Sequence, residues 1–183
     1  MIEEARKVET RETFKAFMND TKSNETLIII LKAHLYIEQQ LILALTETII
    51  DNKILGGTTF RQKLDLAHSM GIIDESYGAL GKVNSIRNAY AHDMEYCFGD
   101  KEFEDLLSTL SKEDKDIHLS EYDEMKNTFY DGSISEFNFK LQILLSDIWF
   151  ALVGSRYFAK KAIELRLKEK EVETMEKYTP KKE

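Results

Sequence analysis

The sequence predicts an all-α fold, a bundle of two long helices packed with shorter ones, and three observations predict it. There is one proline, Pro180, and there are only eight glycines in 183 residues. Proline costs about 3 kcal/mol inside a helix, so a chain nearly free of it keeps long helices unbroken. Apolar residues recur at three- and four-residue spacing along most of the chain. Neither a sustained strand-like alternation nor an internal repeat accompanies them.

Taken in order, residues 2–18 form a weakly amphipathic helix (Val8, Phe14, Phe17, Met18) that stops at the breaker run Asn19-Asp20-Thr21. Ser23 or Asn24 then caps a long helix reaching about Asp51. Its expected buried stripe is Leu27, Leu31, His34, Leu35, Glu38, Leu41, Leu45 and Ile49, with two polar residues, His34 and Glu38, one turn apart. Gly56-Gly57 makes a turn, and Thr58 or Thr59 starts a short helix (Phe60, Leu64, Ala67, Met70) that ends at Gly71. Asp74 is the expected cap of a helix running to His92. Two short acidic helices follow, near 101–111 and 119–130. Ser135 and Asn138 open the last long helix, with Phe139, Leu141, Leu144, Leu145, Ile148, Trp149, Leu152 and Val153 in the core. Beyond Lys160 the residues 160–183 read as a charged helical tail with Glu-to-Lys spacings.

The length and the 43% apolar content fit one domain over residues 1–183. The formal charge of −8 is unevenly placed: residues 99–136 hold 12 acids and 4 lysines, and the rest of the chain is neutral. That segment reads as an acidic helical insert, or as a surface for a basic partner. The acidity works against non-specific nucleic-acid binding, which needs many basic contacts, and no helix pair resembles a basic DNA-reading element. The first residues are too charged for a secretory signal, and no apolar run approaches the roughly 18 residues of a membrane span. With a single cysteine, Cys97, expected as a packed or half-buried thiol, no disulfide forms within the chain. A soluble cytoplasmic protein without a membrane anchor is the expectation.

The segment Asp74–His92 has two unlike faces at about 100° per residue. Leu80, Val83, Ile86 and Tyr90 make an apolar stripe, and Arg87, about 40° from Val83, falls within its sector. A buried guanidinium must be paired, and Glu38 or Asp65 is the expected carboxylate. The opposite face carries Gly78, Gly81, Ser85 and Ala89, small enough for a second backbone to approach closely, with Asn84, Asn88 and His92 beside them. Asn88 and His92 lie one turn apart, and Arg87 reaches in from the neighbouring sector. An Arg, an amide and an imidazole at one helix end can handle a phosphodiester: Arg neutralises phosphate oxygens and His moves a proton near neutral pH. His34 and Glu38 supply too few ligands for a metal site, so neither metal nor cofactor is expected. Gly56-Gly57 lacks the Lys-Ser/Thr of a phosphate loop.

The run Arg87-Asn88-Ala89-Tyr90-Ala91-His92 resembles the Arg-(x)4-His signature of the HEPN superfamily, and is most similar to mannitol operon repressor-like members. Supporting stretches are Lys32-Ala33-His34-Leu35-Tyr36-Ile37-Glu38 and Phe60-Arg61-Gln62-Lys63-Leu64-Asp65-Leu66-Ala67 running into Gly71-Ile72-Ile73. The likeness spans about residues 25–98. It implies an all-α HEPN-like bundle that pairs as a homodimer around the signature helix, with Gly78, Gly81, Ser85 and Ala89 at the interface. It implies a metal-independent endoribonuclease, toxin- or defence-like, whose composite cleft leaves a 2′,3′-cyclic phosphate and a 5′-hydroxyl. Arg87 would hold the scissile phosphate, His92 would act on the 2′-hydroxyl or the leaving group, Asn88 would orient one of them, and Glu38 would orient Arg87. RNA is then the substrate, and a protein antitoxin or regulatory partner is also implied. The tyrosine that many toxin-type members carry two residues after the His is Met94 here, with Tyr96 nearby. The alternative is a non-catalytic regulatory module that binds another protein through the same face or through the acidic segment.

Overall fold

The computed structural model describes residues 2–49 and 52–178, with side chains over 10–49, 52–159, 161, 163–168 and 170. Its helices are α1 (Ile2–Thr21), α2 (Thr26–Thr46), α3 (Phe60–Ser69), α4 (Tyr77–His92), α5 (Asp100–Leu107), α6 (Lys112–Phe129) and α7 (Glu136–Tyr178), with a 3-10 turn at Asn52–Leu55. No strand occurs among the described residues. The chain is all-α.

Helices α2 and α7 form the centre and run in the same direction. At their starts Ser135 N–H donates to Asn24 Oδ1 (3.0 Å) and Asn138 Nδ2 donates to the Ser23 carbonyl (3.1 Å). At the far end of α2, Arg156 Nε donates to Glu47 Oε1 (2.9 Å). Helix α1 lies antiparallel across α7, tied by Gln142 Nε2 to the Met18 carbonyl (2.6 Å) and by Thr10 against the Tyr157 hydroxyl (2.7 Å). Every residue expected in the α7 core is buried, because neighbours surround the first part of that helix.

Helix α2 departs from expectation in its facing. Ile29, Ile30, Ala33, His34, Ile37, Gln40, Leu41, Ala44 and Leu45 are the buried residues, whereas Leu35 is 64% exposed. The run Leu27-Ile28-Ile29-Ile30-Leu31 is apolar on all sides, so periodicity alone does not choose a face. Both α2 and the first part of α7 are long and apolar enough to cross a membrane by length and composition, contrary to the sequence expectation. In the fold they pack on each other and on their neighbours. The expected reach of α2 to Asp51 falls partly outside the described residues; the helix ends at Thr46.

Helix caps follow local chemistry, with two corrections. Thr59 caps α3 in a reciprocal box with Gln62, as its position suggests. Ser135 Oγ accepts from Asn138 N–H (3.1 Å) at the start of α7. By contrast, α2 starts after Glu25 with no side-chain cap, because Asn24 is engaged with α7's start. Helix α4 starts after Ser76 rather than Asp74. Asp74 is instead held by Arg166 of α7 and lies 3.5 Å from His68 Nδ1.

Gly71 ends α3 at φ +73, and a Cβ there would sit 2.6 Å from Arg166 Nε. Gly71→Ala should therefore cost about 1–2 kcal/mol, the strain of a left-handed backbone for an L-residue. The Arg166 side chain can step aside, so Arg166→Ala added to Gly71→Ala should recover none of that loss in urea unfolding. Full recovery would place the cost in the side-chain clash instead.

Candidate functional site

The candidate residues sit at the C-terminal end of α4, which lies antiparallel to α2. Two polar contacts set this pairing: the Tyr90 hydroxyl meets Thr26 Oγ1 at 2.8 Å, and His34 Nε2 meets Asn84 Oδ1 at 3.4 Å. Ala79, Leu80, Val83 and Ile86 are the buried residues of α4. Tyr90, half-buried, packs edge-on to Tyr96 with ring centroids 4.8 Å apart.

Arg87 is exposed, which corrects its expected place among the apolar residues. Helix α3 is only ten residues long, and it meets α4 at Tyr77 and at Gly81, where a Cβ would be 3.8 Å from Arg61 and Leu64. The sector it covers around Leu80 is therefore open two turns later at Arg87. No carboxylate pairs with Arg87 among the described residues; Arg87 Nη1 donates to Asn88 Oδ1 at 3.0 Å. Glu38, expected to orient Arg87, accepts from Lys63 Nζ at 3.0 Å, and that ammonium also donates to the Thr58 carbonyl at 2.9 Å. Asp65 is engaged by Arg61 (3.0 Å) and by the Tyr77 hydroxyl (2.7 Å). The expected acids thus serve α3, and the guanidinium stays uncommitted.

His92 is the last residue of α4, exposed and without a hydrogen-bond partner among the described residues. Asn88 is half-buried between Arg87 and the helix surface. The small face divides into two parts. Gly78 and Gly81 serve contacts within the chain, with the Thr109 carbonyl 3.6 Å and Leu64 3.8 Å from a virtual Cβ. Ser85 is exposed and its hydroxyl donates to the Gly81 carbonyl (2.9 Å), and Ala89 is half-buried. The open part of that face therefore lies at the Ser85–His92 end, beside the Arg and the His. Lys82, on the same helix, reaches Asp105 at 3.4 Å. Met94 is fully exposed, and burial pushes the Tyr96 hydroxyl above its ordinary range. Cys97 is exposed rather than packed, since the loop after α4 leaves it outside the Tyr90–Tyr96 contact.

Spacing placed His34 and Asn84 on their helices but did not pair them with each other. His34 is 5% exposed, its ring tilted against Phe60 with centroids 4.5 Å apart, and Asn84 lies one turn before Asn88. A carbonyl oxygen only accepts, so His34 Nε2 carries the hydrogen in this contact, and the Asn84 NH2 is left as a donor. Burial holds the His34 imidazole below its ordinary value of 6.5; Arg87 and Lys63 add to this, while the Asn84 bond and Glu38 oppose it. The charge of Arg87 is thus felt by a neutral imidazole beneath it.

This has a measurable consequence. Below pH 6.5 the unfolded chain takes up a proton that native His34 refuses, so stability falls as pH falls toward the lowered native value. His34→Gln, which keeps a donor for Asn84, should flatten the slope of urea midpoint against pH between about pH 7 and 5. An unchanged slope would show that another group governs it.

Comparison of the chain with protein-family models, with curated proteins and with solved structures finds no match.

Proposed function

We propose that the chain is a HEPN-type, metal-independent endoribonuclease that works as a cytoplasmic homodimer, toxin- or defence-like in role. The observation that carries this reading is the exposed row Arg87, Asn88 and His92 at one helix end, with the guanidinium free of any carboxylate among the described residues. An exposed, unpaired guanidinium offers a planar fork to phosphate oxygens. An exposed imidazole at the helix end is placed to take the proton of a 2′-hydroxyl. That oxygen then attacks phosphorus, the 5′-oxygen leaves with a proton, and a 2′,3′-cyclic phosphate remains. Two copies of α4 facing each other would supply one imidazole for each transfer. On the outer side of α2, Leu35 is 64% exposed and Ile28 38% exposed, apolar surface of the kind that a second chain covers.

The test is cleavage of RNA by the purified chain in chelator, with end-group analysis of the products. Cyclic phosphate and 5′-hydroxyl ends that disappear with His92→Ala support the reading; cleavage unchanged by that substitution rules it out.

One observation favours a second reading, a non-catalytic regulator. The acidic residues 99–136 include α6, where Ile117 (44%) and Leu119 (60%) are exposed beside the acids. That surface suits a basic protein partner. This reading gives no cleavage at any concentration and a stable complex whose affinity falls with salt.

A further inference from the structure

Gly154 holds an open place on α7: a Cβ there would meet no atom within 4 Å. At about 100° per residue, Phe150, Gly154, Phe158, Lys161 and Leu165 share one arc of about 80°, with Asp147 at its head. Phe150 is 39% exposed, Phe158 68% and Leu165 52%. Apolar side chains of this size, aligned on one helix face, are what an interface centre is made of.

The order along the stripe is symmetrical about the glycine. Phe150 and Phe158 stand four residues to either side, and Asp147 and Lys161 stand seven to either side, one acid and one base. Lys161 is exposed and has no partner among the described residues. Asp147 takes the His118 Nδ1 contact at 2.6 Å, and Asp114 lies close enough to act on its charge. The Asp147 side chain keeps 24% of its surface open to solvent, where a cation can reach it. Glycine between two phenylalanines leaves a hole flanked by knobs.

We propose that this stripe is a contact between two copies of the chain, α7 crossing α7 antiparallel on a two-fold axis at Gly154. A two-fold contact is self-complementary, so each residue meets the one placed equally far on the other side of the axis. Phe158 of one copy then packs beside Phe150 of the other, about 6 Å to each side of the axis on which the two glycines meet. Lys161 comes level with Asp147 and Asp114, about 10 Å from the axis at 1.5 Å per residue. A parallel crossing would set Lys161 against Lys161 and Asp147 against Asp147, so the charges select the antiparallel one. This face is separate from the α4 face and does not depend on the nuclease reading.

Face-specific cross-linking tests it. In the full chain carrying Cys97→Ser, Gly154→Cys places a thiol on the axis, and Lys168→Cys places one about 21 Å from it. Oxidation with copper–phenanthroline at low micromolar protein should give a covalent dimer at position 154 and none at 168. Adding Phe158→Glu to the position-154 variant should cut the cross-link at least tenfold, with helical circular dichroism unchanged. Sedimentation of the native chain should show a species of at least twice the chain mass. A native chain that stays monomeric, no cross-link at 154, equal cross-linking at 168, or a cross-link indifferent to Phe158→Glu would each overturn the proposal.

Discussion

Purified His92→Ala protein is expected to lose RNA cleavage by about 10²–10⁴-fold, the usual effect of removing a proton-transfer side chain. The fold should survive, because His92 is exposed at the end of α4 and its side chain bonds to no described residue. Arg87→Ala should lose cleavage to a similar degree, whereas Arg87→Lys should keep charge and lose the two-pronged geometry, so it should recover only part of the rate. Asn88→Ala should fall between, since the Arg87 Nη1 contact at 3.0 Å steadies the guanidinium without neutralising it. Thermal midpoints equal to wild type in all four proteins are part of the expectation. An activity loss that tracks unfolding would assign these residues to structure, and undiminished cleavage in His92→Ala would remove the imidazole from the chemistry.

The largest expected effect on stability lies at Trp149. Its ring is fully buried, stacked on Phe17 at 5.7 Å and Phe14 at 6.5 Å and edge-on to Phe150 at 4.9 Å. Trp149→Ala should cost about 3–5 kcal/mol through the cavity it leaves between α1 and α7. Trp149→Phe should cost far less, within about 1 kcal/mol of native. The indole Nε1 has no hydrogen-bond partner among the described residues, so the change removes an unmet buried donor while keeping most of the ring. Urea unfolding followed by circular dichroism separates the two. Equal losses in both variants would mean that the indole N–H makes a bond of real value.

These two sites also show why the sequence is unevenly legible. The α7 core could be read residue by residue, from Phe139 to Val153, because that stretch is enclosed and its apolar spacing has one meaning. Helix α2 resisted the same reading because Leu27 to Leu31 are apolar whichever way they point, and the choice of Ile29 and Ile30 over Leu27 and Leu31 is made by its neighbours. Arg87 was misplaced for a related reason. Its angular position matched a buried sector, but burial also depends on whether the covering helix is long enough, and α3 is not. The Asn88–His92 row followed from helical spacing alone. The His34–Asn84 contact did not, since nothing in either segment announces which helix the other will meet.

The anchoring of α6 has one more consequence. Eighteen residues long, it buries a single residue, His118, whose ring meets Asp147 of α7. Segments with so little apolar burial detach on their own, so the amide protons of α6 should trade for deuterium through a private opening while α2 keeps its own. A protease probing the native protein would then find its first cut in this arm, long before the bundle yields.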